Sequence, residues 1–231
     1  MRKAYLFTLL LSAFFSCTLH AQTTKTIDVA LPGTLSATLG EELKTVKDLT
    51  VTGKINTADI DGLAQANALE VLNLLDAVIV DAEGKETTVF PGYTLRKHPA
   101  LTSFTFPKTI TTVGNGAFFK CQKLKKVVLP ETIKKLNETV FMSCSALSDI
   151  NFPDGLESIG RSALYMTAIT EFTAPKSLKT LGDNALYGTP ITKAVLNDKL
   201  EKIGQALFAA CKQLSKIEIE NNPNFKLVDG V

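Results

Sequence analysis

Outside the first 21 residues the chain has three cysteines, Cys121, Cys144 and Cys211, and one histidine, His98. Thiolate and imidazole are the ligands zinc prefers, and a thiol beside an imidazole is the core of a nucleophilic dyad. The spacing argues against both uses. Zinc sites draw on close ligand pairs within one segment, whereas His98, Cys121 and Cys144 stand 23 residues apart and Cys211 lies further on. There is no Gly-x-Ser-x-Gly elbow, no phosphate-cradling glycine loop and no His-Glu-x-x-His stretch. Carboxylates are scattered singly at variable positions, as solvated surface charge is. No catalytic residue, metal site or cofactor is expected, and the chain is not read as an enzyme. A Cys121–Cys144 disulfide stays open, although three cysteines cannot all pair within one chain.

The interval of 23 residues carries more information than the side chains it separates. Leu101, Leu124, Leu147, Ile169, Ile191 and Leu214 are spaced 23, 23, 22, 22 and 23 residues apart. Leu101-Thr-Ser-Phe-Thr-Phe-Pro107 returns as Leu124-Lys-Lys-Val-Val-Leu-Pro130 and as Leu147-Ser-Asp-Ile-Asn-Phe-Pro153. A fixed period of this length marks a solenoid, whose coils bury their apolar sides only by stacking. The leading apolar residue of each coil is taken as offset zero. Offsets three and five are apolar throughout, from Phe104 and Phe106 to Ile217 and Ile219. One variable residue between two buried ones is the period of a strand with one covered face. Proline or Asn197 at offset six ends the strand.

Offsets nine and twelve are apolar again. Offset thirteen holds Gly114, Asn137, Gly160, Gly182 and Gly204, a column that suggests a left-handed backbone turn. Ala117-Phe118 and its counterparts form the buried side of a returning limb, read as short helix or turn. Offset twenty holds Cys121, Cys144 and Cys211, with Thr167, Thr189, Ala66 and His98 in the same column. That column asks for a small buried residue, a role cysteine fills well.

The period reaches upstream to Val46-x-x-Leu49-x-Val51 and Leu69-x-x-Leu72-x-Leu74. An insertion near Asp81–Glu86 separates Leu69 from Leu101. The expected fold is an α/β repeat solenoid of about eight coils of 22–23 residues, with a parallel sheet along one side. Residues 46–100 form degenerate leading repeats and 101–219 regular ones. Residues 22–45 form an N-terminal cap, in which Ile27, Val29 and Leu31 alternate as an edge strand and Leu35, Leu39 and Leu43 mark a short amphipathic helix. Residues 220–231 read as a truncated C-terminal segment, with Phe225 to Val231 an unpartnered strand.

Arg2 and Lys3 precede an apolar run from Ala4 to Ser16, and Ala21 is a small residue at a cleavage position. Residues 1–21 therefore read as a secretory signal peptide, which places the chain outside the cell or on its surface. Cys17 offers a rival, lipid-anchored reading. The run is too short to span a bilayer. Without Arg2 and Lys3 the basic count falls from 25 to 23 and equals the acidic count. This balance excludes nucleic acid and anionic membrane as partners selected by net charge.

The pattern L-x-x-h-x-h-P-x-x-h-x-x-I-G-x-x-A-F-x-x-C, carried by Leu101 to Ile219, resembles the BspA-like leucine-rich repeats of surface proteins in Bacteroidetes and treponemes. Leu49-Thr-Val-Thr-Gly53 and Ile55-Asn56-Thr-Ala58-Asp59 resemble the family's entry segment. The resemblance implies a right-handed horseshoe exported to the cell surface, which in some members binds matrix proteins, mucins or other bacteria. The outward positions, offsets two and four, are the candidate ligand face: Ser103, Thr105, Lys126, Val128, Asp149, Asn151, Glu171, Thr173, Lys193, Val195, Lys216 and Glu218. The expected function is adhesin-like recognition of a protein or glycan on a host or bacterial surface. The alternatives are self-association through an open C-terminal coil, or a shortened relative of a larger surface protein without a ligand of its own.

Overall fold

A computed structural model describes residues 24–219 and 221–226. The signal segment, Cys17 and the proposed final strand lie outside or largely outside these residues. The chain winds as a parallel-strand solenoid of about nine turns, one more than the repeat count suggests. The additional turn comes from the cap: Thr24–Val29 pairs in full with the next strand, from Thr24 opposite Asp48 to Val29 opposite Gly53. Leu31 does not continue that alternation and is 65% exposed, because the strand stops before the Pro32-Gly33 turn.

The front sheet takes its strands in chain order: Thr24–Val29, Asp48–Ile55, Val71–Asn73, Ser103–Thr105, Lys126–Val128 and Asp149–Ile150. Ala77–Ile79 pairs beside the far end of Asp48–Ile55 and makes it seven-stranded. The register stacks equal offsets, so Val71 faces Ser103, Ser103 faces Lys126 and Lys126 faces Asp149. The expected line of strands is not continuous. A separate three-stranded sheet, Glu171–Thr173, Lys193–Leu196 and Lys216–Ile219, follows after a gap in the ladder. The gap falls where the repeat first shortens to 22 residues. Asn151 also leaves the strand, and its side chain bonds the Leu129 amide and carbonyl at 2.7 and 2.9 Å.

A second parallel sheet forms the opposite side and was not foreseen as one. Its six strands have two residues each, from Val89–Phe90 and Thr112–Val113 to Lys202–Ile203. Such strands are too short for an alternating pattern to show in sequence, where only the apolar residue at offset twelve is visible. The returning limb is turn rather than helix, and it forms a third hydrogen-bonded side. Amides at offsets fifteen, seventeen and nineteen donate to the next coil, as Thr139 to Arg161, Phe141 to Ala163 and Ser143 to Tyr165. This regular bonding satisfies backbone groups that would otherwise be left unpaired in the interior.

Left-handed backbone occurs at offsets fifteen and nineteen, not at the glycine column. Thr139, Ser162, Asn184 and Ala206 have φ of 53–55° at the first, and Lys120, Ser143, Met166 and Ala210 have φ of 52–61° at the second. The glycines of offset thirteen are needed for a different reason. A Cβ on Gly160 would sit 2.7 Å from the Asn137 carbonyl carbon, and one on Gly182 would sit 2.5 Å from the Arg161 amide nitrogen. At these glycines the coils approach too closely for a side chain, and only Asn137 of this column carries one.

The interior is one apolar cluster running from Ile27 past Leu207. Phe90, Phe104, Phe106 and Phe118 meet within it, with centroids 4.7–5.9 Å apart and mostly edge-to-face. Edge-to-face contact suits the ring quadrupoles. At the N-terminal end, short helices Leu35–Leu39 and Thr57–Leu63 are joined by the buried Asp59. Its carboxylate accepts the amides of Gly33, Leu35 and Asn56 at 2.7, 2.9 and 3.0 Å. Asn56 in turn caps the Asp59 amide, forming a capping box.

Candidate functional site

The structure brings the cysteines and His98 into one internal column, where they serve the backbone. Cys121 Sγ donates to the Leu95 carbonyl and Cys144 Sγ to the Phe118 carbonyl, each at 3.0 Å, and Cys211 Sγ reaches the Leu186 carbonyl at 3.2 Å. Each acceptor is offset seventeen of the coil before. Thr167 and Thr189, in the same column, donate to Leu164 and Leu186 within their own coils at 3.0 and 2.8 Å. Cys121, Cys144 and Cys211 are free thiols. Burial pushes the Cys144 thiol well above its ordinary pKa, which keeps it protonated and unreactive.

His98 takes the same place one coil earlier. Its Nδ1 accepts the Leu101 amide at 3.0 Å, so the neutral ring carries its proton on Nε2. That buried Nε2 has no hydrogen-bond partner, and the backbone of Leu63 and Ala66 lies close to the ring. Burial lowers the imidazole pKa below its usual value, and that backbone offsets this only in part. Among the described residues no group of His, Cys, Asp and Glu is placed to hold a metal ion.

The predicted ligand face is laid out in two panels. Ser103, Thr105, Lys126, Val128 and Asp149 stand on the first sheet, while Glu171, Thr173, Lys193, Val195, Lys216 and Glu218 stand on the second. All are exposed or half-exposed. Asn151 is exposed too, but its amide is committed to Leu129 at the edge of the first panel. Charges on the face are largely matched within it. Lys126 pairs with Asp149 at 2.8 Å, and Glu218 bridges Lys216 at 2.6 Å and Lys193 at 3.2 Å. These two lysines hold the Glu218 carboxyl below the usual carboxylate pKa. The bridge also relieves a repulsion, because Lys193 and Lys216 are direct neighbours in the ladder.

A second surface was missed. Over the rear sheet lies an open groove of about 650 Å³, with Ser158, Thr180 and Lys202 on one side and Asn115, Glu138, Arg161 and Asp183 on the other. Arg161 pairs with Glu138 at 3.0 Å, and the Asn115 and Asp183 side chains accept amides of the next coil. The signal for this groove was present in sequence: offset fourteen is polar in every regular coil, beside a column that is glycine in all of them but one.

Among the described residues no helix is long and apolar enough to cross a membrane. No curated protein matches the chain significantly. Among solved structures, a leucine-rich repeat protein of Bacteroides ovatus is 22% identical with a TM-score of 0.55, over 76% of this chain and 50% of the other. A Treponema pallidum leucine-rich repeat protein is 21% identical with a TM-score of 0.54, over 66% and 69%. The pneumococcal vaccine antigen PcpA is 17% identical with a TM-score of 0.50, over 90% and 61%. At these identities the likeness is one of fold, and the chain spans about half the length of the Bacteroides protein. The description of BspA type leucine rich repeat regions matches residues 88–215 in six copies. With the repeat, the stacked register and this match in agreement, the chain belongs to the BspA-type leucine-rich repeat family.

Proposed function

We propose that the protein is a non-enzymatic recognition module, secreted or held at the cell surface, whose front sheet docks onto a protein of a host or bacterial surface. The observation that carries this reading is the composition of the outward face. Lys126, Lys193 and Lys216 balance Asp149, Glu171 and Glu218, and most of these groups are already paired in place. A face that is neutral and internally matched loses less on desolvation than one with unpaired charges, and it has no bias towards polyanions. The parallel ladder holds the side chains at fixed spacing, which lowers the ordering cost of binding.

The test is binding of the exported chain to immobilised matrix proteins, mucin and bacterial cells. The triple variant Lys126→Glu, Asp149→Lys, Glu171→Lys should reduce binding at least about tenfold, with unchanged circular dichroism. A blank panel, or a variant that binds like the parent, removes the front face from consideration.

A further inference from the structure

Offsets eighteen to twenty-two form the corner where the returning limb passes back into the front sheet. From Arg96 to Gln213 no Asp or Glu occupies any of these offsets, although the chain has 23 carboxylates. Arg96, Lys97, Lys120, Lys123 and Lys212 do, and all are exposed. None of these five has an ion-pair partner among the described residues, whereas many lysines elsewhere are paired. The corner is therefore a carboxylate-free strip on a protein whose total charge is close to neutral, with uncompensated positive charge at its two ends: Arg96, Lys97, Lys120 and Lys123 in its first two coils, Lys212 in its last, and none in the three coils between. At about 4.8 Å per coil, the five steps from the His98 coil to the Cys211 coil span roughly 24 Å.

Offset eighteen adds aromatic and thioether surface to the strip. Phe119, with the Lys120 ammonium 5.1 Å from its ring centre, is followed by Met142, Tyr165 and Tyr187. The two tyrosine rings are stacked at 4.7 Å and 5°. The next residue of the column is Ala209, too small to cover Tyr187 as Tyr187 covers Tyr165. At that step the surface recedes into a depression of about 420 Å³, bordered by Met166, Tyr187, Gly188, Pro190, Lys212 and Gln213.

We propose that this corner binds a linear acidic polysaccharide. One sugar stacks against Tyr187 in the depression, within reach of Lys212 and Gln213, and carboxylate or sulfate groups further along the chain meet Lys97, Lys120 and Lys123. A polysaccharide combines the three requirements of the strip: an extended shape, spaced negative charge and apolar C–H faces for ring stacking. Nucleic acid is disfavoured because affinity for a dense phosphate backbone depends on many cations, and only five are spread along this corner. The site is separate from the front-sheet face and does not depend on the function proposed for it.

The test is binding of the exported chain to immobilised heparin as the sulfated probe and polygalacturonate as the carboxylated one, with dextran as the neutral control. At least one acidic polymer should bind, with affinity falling as salt rises, and dextran should not. Lys120→Glu with Lys123→Glu should weaken binding by about tenfold or more. Tyr187→Ala should weaken it by about three- to tenfold without changing the salt dependence. The front-face triple variant should bind the polymer normally, which separates failure here from failure of the protein-docking reading. Absence of binding to both acidic polymers overturns the proposal, as does full binding by the lysine variant. Single-stranded DNA that binds as tightly as the better polysaccharide also overturns it, since the strip would then respond to negative charge alone.

Discussion

Gly182→Ala tests whether the glycine column exists for close approach of the coils. The new methyl carbon would lie 2.5 Å from the Arg161 nitrogen and 2.6 Å from the Gly160 carbonyl carbon. Non-bonded heavy atoms settle about 3.5 Å apart, so roughly 1 Å of separation must be found. The molecule contains its own measure of how far a coil can yield. Asn137 occupies the same column with a Cβ, and its amide reaches the Val113 carbonyl at 3.1 Å, whereas Gly114, Gly160 and Gly182 make the equivalent bond at 2.8 Å. Accommodating that side chain has thus lengthened the bond by only 0.3 Å. The overlap left over at Gly182 must be relieved by backbone shifts on both sides, which places the cost near the top of the overpacking range, about 2–3 kcal/mol. Asn137→Ala keeps its Cβ and should change stability by less than about 0.5 kcal/mol. Urea unfolding followed by circular dichroism, compared at equal m-values, reads both variants. Equal midpoints for the two variants, or a Gly182→Ala midpoint matching the parent, would refute the close-approach argument.

The buried His98 should make stability depend on pH in a defined direction. Its pKa is lowered in the folded state, so its contribution is complete above the ordinary value of 6.5 and is lost as pH falls from there through the folded value. Melting temperatures recorded from pH 8 to pH 5 should drop for the parent and drop less for His98→Asn; parallel curves would contradict this. Asp59→Ala strands three amides at the N-terminal cap and should cost about 3 kcal/mol. A loss under about 1 kcal/mol in urea unfolding would mean that water replaces the carboxylate there. Ala206→Gly removes a left-handed alanine at φ 53°, relieving about 1–2 kcal/mol against roughly 0.5–1 kcal/mol of added chain freedom. The net gain of about 0.5 kcal/mol should raise the unfolding midpoint, and a lowered midpoint would show that the left-handed turn carries little strain.

What could be read from sequence was whatever repeats in residue type. Leu101, Phe104 and Phe106 recur as apolar residues because each fills the same internal space, and they are buried as their spacing requires. Cys121, Cys144 and His98 could be assigned to a buried column for the same reason, but the carbonyls that the cysteines bond in the preceding coil could not. Those partners lie 25 or 26 residues away for the cysteines and depend on how coils are stacked. The rear sheet escaped notice because Thr112–Val113 and its equivalents are too short to show a period. The left-handed positions escaped because Lys120, Thr139, Met166 and Ala206 share no residue type, and the inter-coil ladder fixes their backbone in spite of side-chain preference. The outward direction of the candidate positions was legible, since alternation along a strand settles it, except at Asn151, which leaves its strand. The division of the face into two panels was not, and neither was the corner, whose mark is the lack of carboxylates.

The gap between Ile150 and Glu171 gives that division a mechanical meaning. On the other two sides the same pair of coils remains joined: Gly182 donates to Ile159 at the rear, and Ser162 and Leu164 donate to Asp183 and Ala185 along the limb. Along the front the ladder is interrupted but not undone, since Ala168 donates to Leu147 on one side of the gap and Ser177 to Asp154 on the other. The halves carrying Lys126 and Lys193 therefore lack strand pairing where they meet, so a partner laid across both panels crosses a seam rather than one unbroken ladder.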